Sequence, residues 1–343
     1  MIPHAILKSG LDHVIKAVSS ARVLPVLSHI RITADQNGLS MQATDLQTSI
    51  TSFSPGEFEL LDICVPAGRF KTAVDMLTGN IEFKVGKLLS LKGDRGMAKI
   101  PYLDGSQMPS LAADPDVIAT LPMDDIAPAI SAVKFAAAVK DVRYYMIAIH
   151  LQSTGEMVTV STTNGHVCAT CTIPIKCPPF EALIPPSAYA RVGESKTIDV
   201  MKSTVRFCGN GFTATLKLID GKFPDFSRVF PQTDQVMTCD RQQMIKAAIA
   251  TGNLYETALN KWVRIKNSDK LVMGVDEKGE GGSFDVDGEG DPIDCCYVIP
   301  YLVGALSNLK QDKATIMWST TNALPQILIE EGNYRALIGA TRV

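Results

Sequence analysis

The sequence predicts an α+β protein built from three tandem similar domains, each with two helices packed on antiparallel sheet. Three observations predict it. An apolar residue followed by proline and then a helix-forming run recurs at Val65-Pro66, Ile184-Pro185 and Ile299-Pro300. Thr44-Asp45 has a counterpart in Thr163-Asn164, 119 residues later (163 − 44), and Pro66 has one in Pro185 at the same offset. An Asp-Gly turn signal leading to proline occurs in Tyr102–Pro109 and more strongly in Leu218–Pro231, with Asp104 and Asp220 116 residues apart (220 − 104). Recurrence at a fixed domain-sized period is the mark of a repeated unit, and places the domains at 1–118, 119–236 and 237–343.

In chain order, Leu11, Val14, Ile15 and Val18 fall on one helical face, with Lys8, Lys16 and Arg22 elsewhere on that helix or just past it. Ile30–Thr33 and Leu39–Ala43 read as strands. After Pro66 a second helix is expected over Arg69–Leu77, because a proline at a helix start lacks only an N–H that would have no partner there. Strands Ile81–Val85, Leu88–Lys92 and Met97–Ile100 close the unit. The order then recurs: a helix over about Ile130–Lys140, strands Met146–Leu151 and Met157–Ser161, a short helix after Pro185, and a hairpin of Val205–Cys208 with Phe212–Leu218. In the third pass Asp240 and Gln243 fit a capping box for a helix over Arg241–Thr251. Strands Val263–Lys266 and Leu271–Val275 follow, then a helix over Leu302–Leu309.

A unit with two amphipathic helices and this many strands buries its apolar faces as helices on one side of antiparallel sheet. Three in series make an arc, and two arcs joined head to tail close into a ring. All helices could then face one side and line a channel. Their solvent-facing residues include Lys8, Lys16, Arg22, Arg69, Lys71, Lys134, Lys140, Arg191, Arg241, Lys246 and Lys310. Such a lining would tolerate a polyanion without gripping it, although lysines on a helix are ordinarily just a solvated face.

Composition narrows the function. The 343 residues carry 33 Lys+Arg against 36 Asp+Glu, a net charge of −3. A protein that held nucleic acid mainly by neutralising phosphates would be basic, so any such contact is local or retention has another source. Aromatics at 6% argue against base stacking as the main device. The eight cysteines are scattered and the N-terminus has no basic-then-apolar leader, so reduced thiols and a cytoplasmic location are expected.

Asp141-Val142-Arg143-Tyr144-Tyr145, Thr163-Asn164-Gly165-His166, Leu218–Pro231 (LIDGKFPDFSRVFP) and Arg22–Leu27 closely resemble the bacterial replicative sliding clamp, the β subunit of DNA polymerase III. The resemblance runs over the full length in register. It implies the DNA clamp fold and a homodimeric ring of six domains. Such a ring encircles double-stranded DNA without reading its sequence, is opened by a clamp loader, and tethers a replicative DNA polymerase. It implies no cofactor and no catalysis. By family position, a partner-peptide pocket between the second and third domains would comprise Met146, Thr163, Gly165, His166, Val167, Cys168, Pro224, Arg228, Val229, Leu337, Ile338, Gly339, Ala340, Thr341 and Arg342. The DNA-facing set would include Arg22, Lys71, Lys140, Arg143, Tyr144, Tyr145, Arg191, Lys246 and Lys310. The subunit junction would pair Ala98 and Ile100 with Leu254 and Tyr255. The chain departs from the family at Val167-Cys168, where Arg then Leu is usual, and at Gly339–Arg342, where a Met-Pro-Met-Arg type ending is usual. A smaller, less sulfur-rich pocket floor and an altered partner motif are therefore expected. Pro186-Ser187 replaces a basic pair often found there.

Other chemistry is weakly signalled. Cys168 and Cys171 near His166 invite zinc, but residues three apart in a strand point to opposite faces, and no second pair has ligand spacing. Asp285–Gly290 resembles the start of a calcium loop, yet Cys296 occupies the position of the bidentate Glu. No phosphate-binding GxxxxGK[ST] loop exists. The alternative to a clamp is a binding scaffold, or a hydrolase using the Thr163–His166 turn, for which the sequence offers no partnered nucleophile.

Overall fold

The structure is a computed structural model that describes residues 1–19, 24–111, 114–192, 194–225, 229–254, 261–277, 280–321 and 324–342. Arg22, Arg228 and Tyr255 lie outside the described residues. Among those described, six α-helices follow in order: α1 (His4–Val14), α2 (Ala67–Met76), α3 (Met123–Val133), α4 (Pro186–Tyr189), α5 (Arg241–Asn253) and α6 (Ile299–Ser307). Among the described residues the strand pairings are antiparallel, so the α+β class expected from the sequence is the one found. The chain divides into two compact units, Met1–Asp124 with Ser187–Leu218, and Asp125–Pro186 with Ile219–Val343.

The first unit holds a nine-stranded sheet. Its order is Ala119–Pro122, Thr197–Val200, Thr204–Gly209, Phe212–Lys217, Thr48–Pro55, Gly38–Thr44, His29–Ala34, Leu61–Pro66 and Leu103–Asp104. A four-stranded sheet runs Ile2–Pro3, Asn80–Val85, Leu89–Lys92, Met97–Ile100. Helix α1 buries Leu7, Gly10, Leu11 and Val14 and packs on Gly38–Thr44 and Thr48–Pro55. Gly10 lets the helix sit close on the sheet, since a Cβ there would displace the Met41 and Ser52 side-chain ends, 2.2 and 2.8 Å away. The His4 ring bonds the Val74 carbonyl at 2.8 Å and ties α1 to α2.

The second unit repeats the plan. Its nine-stranded sheet runs Phe180–Ile184, Ile149–Ser153, Val158–Thr163, Val167–Ile173, Tyr334–Ile338, Ile327–Glu331, Lys313–Trp318, Gln235–Asp240, Gly288–Gly290. The smaller sheet is Glu280–Val286, Leu271–Glu277, Trp262–Asn267, Ile293–Val298. Helices α5 and α6 pack together and bury Met244, Ala247, Ala248, Leu302, Ala305 and Leu306.

Several boundaries differ from the sequence reading, each for a physical reason. Helix α3 starts at Met123, not near Ile130, and carries Pro128 inside it. Proline normally breaks a helix by removing an N–H and crowding the preceding turn, yet α3 runs through Pro128, which is exposed. The expected apolar face past Val14 continues only as a 3₁₀ turn, Ile15–Ala17. At α5 the capping box is half formed. Asp240 accepts the Gln243 N–H at 2.7 Å, but the Gln243 side chain accepts from the Asp287 N–H at 2.9 Å and donates to Asp287 Oδ2 at 2.7 Å. The strand Val167–Ile173 lacked an alternating pattern because its first five residues are all buried, as befits a strand covered on both faces.

Candidate functional site

The candidate pocket lies in the second unit and is built on a tight turn. Strands Val158–Thr163 and Val167–Ile173 are joined by Asn164-Gly165-His166. Asn164 Oδ1 accepts the N–H groups of His166 and Val167 at 2.9 and 3.0 Å. The Thr163 hydroxyl donates to the Val167 carbonyl at 2.8 Å and accepts the Gly165 N–H at 3.1 Å. Gly165 has φ +87°, the left-handed region where a side chain is strained. The first unit carries the same bonds at Thr44–Thr48: the Thr44 hydroxyl donates to the Thr48 carbonyl at 2.9 Å and accepts the Leu46 N–H at 3.0 Å. Asp45 Oδ1 accepts from Gln47 and Thr48, and Leu46 takes the left-handed position at φ +73°.

Three further segments close on the Thr163–Val167 turn. Val167 and Cys168 pair with Ile338 and Leu337, and the Gly339 N–H donates to the His166 carbonyl at 2.8 Å. Met146 comes from a 3₁₀ turn, Tyr144–Ile147, fixed by its N–H on the Arg143 carbonyl at 2.8 Å. Pro224 and Val229 come from the segment after the Asp220-Gly221 turn. That segment is anchored by Phe223, buried against Ala148 and Leu183 and stacked on the His150 ring with centroids 4.3 Å apart.

The resulting pocket, about 180 Å³, is lined by Met146, Thr163, Gly165, His166, Val167, Cys168, Pro224, Val229, Leu337, Gly339 and Gln326. Every lining residue except Gln326 is among those the resemblance implied. Gln326 precedes the strand Ile327–Glu331, and only the sheet register brings it here, so no local signal marks it. Ile338, Ala340, Thr341 and Arg342 do not line it; Thr341 instead donates its N–H to the Cys296 carbonyl at 2.8 Å. The floor is uncharged. Burial pushes the Cys168 thiol up to about 12, so it stays protonated. His166 stands exposed at the rim. The Thr163 hydroxyl is buried and already engaged as donor and acceptor, which leaves it poorly placed as a nucleophile.

Lys71 is exposed on α2 and bonds Asp75. Arg143 is exposed and held by both Asp141 oxygens at 2.9 and 2.8 Å, which keep the Asp141 carboxyl down at about 2. Tyr144, Lys140, Lys246 and Lys310 are exposed, and Tyr145 is half-buried beside the Phe223 cluster. Arg191 is half-buried and reaches Asp45 at 2.5 Å. Ala98 and Ile100 lie on Met97–Ile100, the outer strand of its four-stranded sheet, and Leu254 is exposed at the end of α5. Among the described residues no three His, Cys, Asp or Glu side chains are grouped to hold a metal, and no helix is long and apolar enough to cross a membrane.

Known proteins are similar to this chain in sequence and fold. Residues 120–225 match the family described as DNA polymerase III beta subunit, central domain. The chain is 26% identical over 324 residues to the beta sliding clamp of Vibrio cholerae, covering 88% of this chain and 87% of that protein. It is 24% identical over 332 residues to that of Escherichia coli, covering 90% and 89%. The crystal structure of the DNA polymerase III subunit beta from Pseudomonas aeruginosa superposes with a TM-score of 0.89 over 99% of both chains at 23% identity. The beta chain from Streptococcus pneumoniae gives 0.91 over 99% and 98% at 17%. The chain as a whole thus has the fold of bacterial sliding clamps and is similar to them along most of its sequence, and residues 120–225 match the central-domain family of the DNA polymerase III beta subunit.

Proposed function

We propose that this protein is a DNA polymerase processivity factor, a sliding clamp that tethers its partners to duplex DNA and has no catalytic activity of its own. The observation that carries the reading is similarity to beta sliding clamps over 88–90% of the chain in sequence, joined to a fold matched over 99%. On this reading the chain comprises three modules, 1–118, 119–236 and 237–343. Two copies join head to tail through the Met97–Ile100 edge of one and the Leu254 region of the other, which would cover an open strand edge. The helices face the channel, and Lys71, Lys140, Arg143, Tyr144, Tyr145, Arg191, Lys246 and Lys310 face the DNA. A net charge of −3 suits retention by topology better than by grip. A clamp loader opens the ring, and the setting is cytoplasmic.

The pocket around His166 takes a short extended segment of the polymerase or loader. An uncharged floor with a few polar groups at its edge is the chemistry of a peptide-in-groove site. Its small volume suits a pair of apolar side chains.

Two measurements test this. Sedimentation should give twice the chain mass of 37.0 kDa; a monomer at micromolar concentration would remove the ring. Clamp loaded on circular DNA should stay bound through gel filtration and be released by a single restriction cut. Retention that survives linearisation would mean that the protein grips and does not encircle.

A further inference from the structure

Helices α1 and α2 lie against each other and carry the same pair of charges at the same spacing. Lys8 is followed four residues later by Asp12, and Lys71 by Asp75. That spacing puts both members of each pair on one side of their helix. Helix α2 buries Ala67, Phe70, Ala73 and Val74, which leaves Lys71 and Asp75 exposed beside Gly68 and Thr72. Asp75 is shared between the helices. Its Oδ1 accepts from Lys8 Nζ at 2.5 Å, and its Oδ2 accepts from Lys71 Nζ. Lys8 Nζ also stands 3.5 Å from Asp12 Oδ1. Two lysines and two aspartates thus form one chain of zero net charge across the contact of α1 with α2.

The hydrogen bonds from Lys71 and Lys8 hold the Asp75 carboxyl down at about 2, so the carboxylate is charged throughout the neutral range. Exposed ion pairs of this kind add little to stability. Their effect is on whatever approaches the face they occupy. The second unit supplies the contrast, because α5 and α6 contain no Asp or Glu. Lys246 is exposed on α5 and makes no ion pair among the described residues. A phosphate reaching Lys246 meets an unopposed charge. One reaching Lys8 or Lys71 meets an ammonium already occupied by a carboxylate, whose negative charge stays beside it well inside the screening length of about 8 Å.

Resting on the reading above in which the helices face DNA, we propose that Asp75 is a positioning residue, a built-in counter-ion that keeps Lys8 and Lys71 off the phosphates. The α1–α2 face then passes over the duplex without gripping it, and contact with the backbone falls to unopposed lysines such as Lys246. Retention by encirclement requires this restraint, since every phosphate held firmly by the ring is a brake on its movement.

The test is binding of the whole protein to a linear duplex, followed by fluorescence anisotropy across a salt series. Each added phosphate contact steepens the log–log salt dependence by about 0.9, so Asp75→Asn, which frees two lysines, should lose about tenfold more affinity than the native protein between about 50 and 200 mM salt. Asp75→Glu should restore the native slope. Glu82→Gln removes an equal charge from an exposed strand position and should leave the slope unchanged. In a K8A/K71A background, D75N should have no effect. A D75N slope no steeper than that of E82Q, or a steepening that persists without the two lysines, would overturn the counter-ion role, and retention of the native protein on circular DNA would spare the ring. Loss of that retention in the native protein would overturn the ring and this role with it.

Discussion

The backbone N–H of Gly339 meets the carbonyl of His166 at 2.8 Å, and a Cβ placed on Gly339 would come within 3.0 Å of that same oxygen. The pocket therefore depends on a glycine that lets the last strand's exit lie flat against the turn. Gly339→Ala should push the two apart, costing about 1 kcal/mol of stability and lowering partner-peptide affinity about tenfold. The sedimentation coefficient should be unchanged. Full peptide affinity in this variant would detach the pocket from the Gly339–His166 contact.

The paired turns allow a contrast within one chain. Gly165 needs its left-handed backbone, and a Cβ there would have room, its nearest neighbour being Met146 Cε at 3.8 Å. Gly165→Ala should thus cost about 1 kcal/mol through backbone strain alone. Leu46 already bears that strain at φ +73°, so Leu46→Gly should be close to neutral or stabilising. Urea unfolding of both variants checks this; equal losses would show that the two turns are not equivalent.

Burial holds the His150 pKa below its ordinary 6.5, with Glu181 pulling it partly back. A lowered histidine stabilises the fold in its neutral form. That contribution is fully present above pH 6.5 and is lost as pH falls through the lowered folded value. Denaturant midpoints at pH 7.5 and 5 should therefore differ less in His150→Leu than in the native protein. An identical acid shift in both would assign the sensitivity to other groups.

Thiol reactivity should sort by burial. Cys168 and Cys239 are both pushed up to about 12, and both are buried, whereas Cys177 is partly exposed. Since the thiolate is the nucleophile, maleimide at pH 7.5 should label Cys177 early and leave Cys168 and Cys239 unmodified until urea unfolds the chain. Peptide mapping after a short pulse reads this directly. Prompt labelling of Cys168 would mean that the pocket floor opens.

Much of this was legible in the sequence because the signals were local. Thr44-Asp45 and Thr163-Asn164 write the same turn with the same hydrogen bonds, and each proline junction marks a strand passing into a helix. The pocket's turn and its Pro224 wall came from motifs with fixed chemistry. What escaped depended on distant pairing. Gln326 enters the pocket only through strand register, and Val167–Ile173 hid because a strand covered on both faces does not alternate. The start of α3 at Met123 was missed as well, in a helix that carries an exposed proline, Pro128, inside it.

One consequence lies in how the long sheets are assembled. Thr48–Pro55 is covered along its outer side by Phe212–Lys217, and Val167–Ile173 by Tyr334–Ile338, partners more than a hundred residues away in the chain. Excising the polypeptide at a repeat boundary would strip these strands and leave raw ladders of peptide groups, which invite self-association. Anyone dissecting this protein into fragments should expect insoluble pieces unless the scissors follow the hydrogen bonds instead of the repeat.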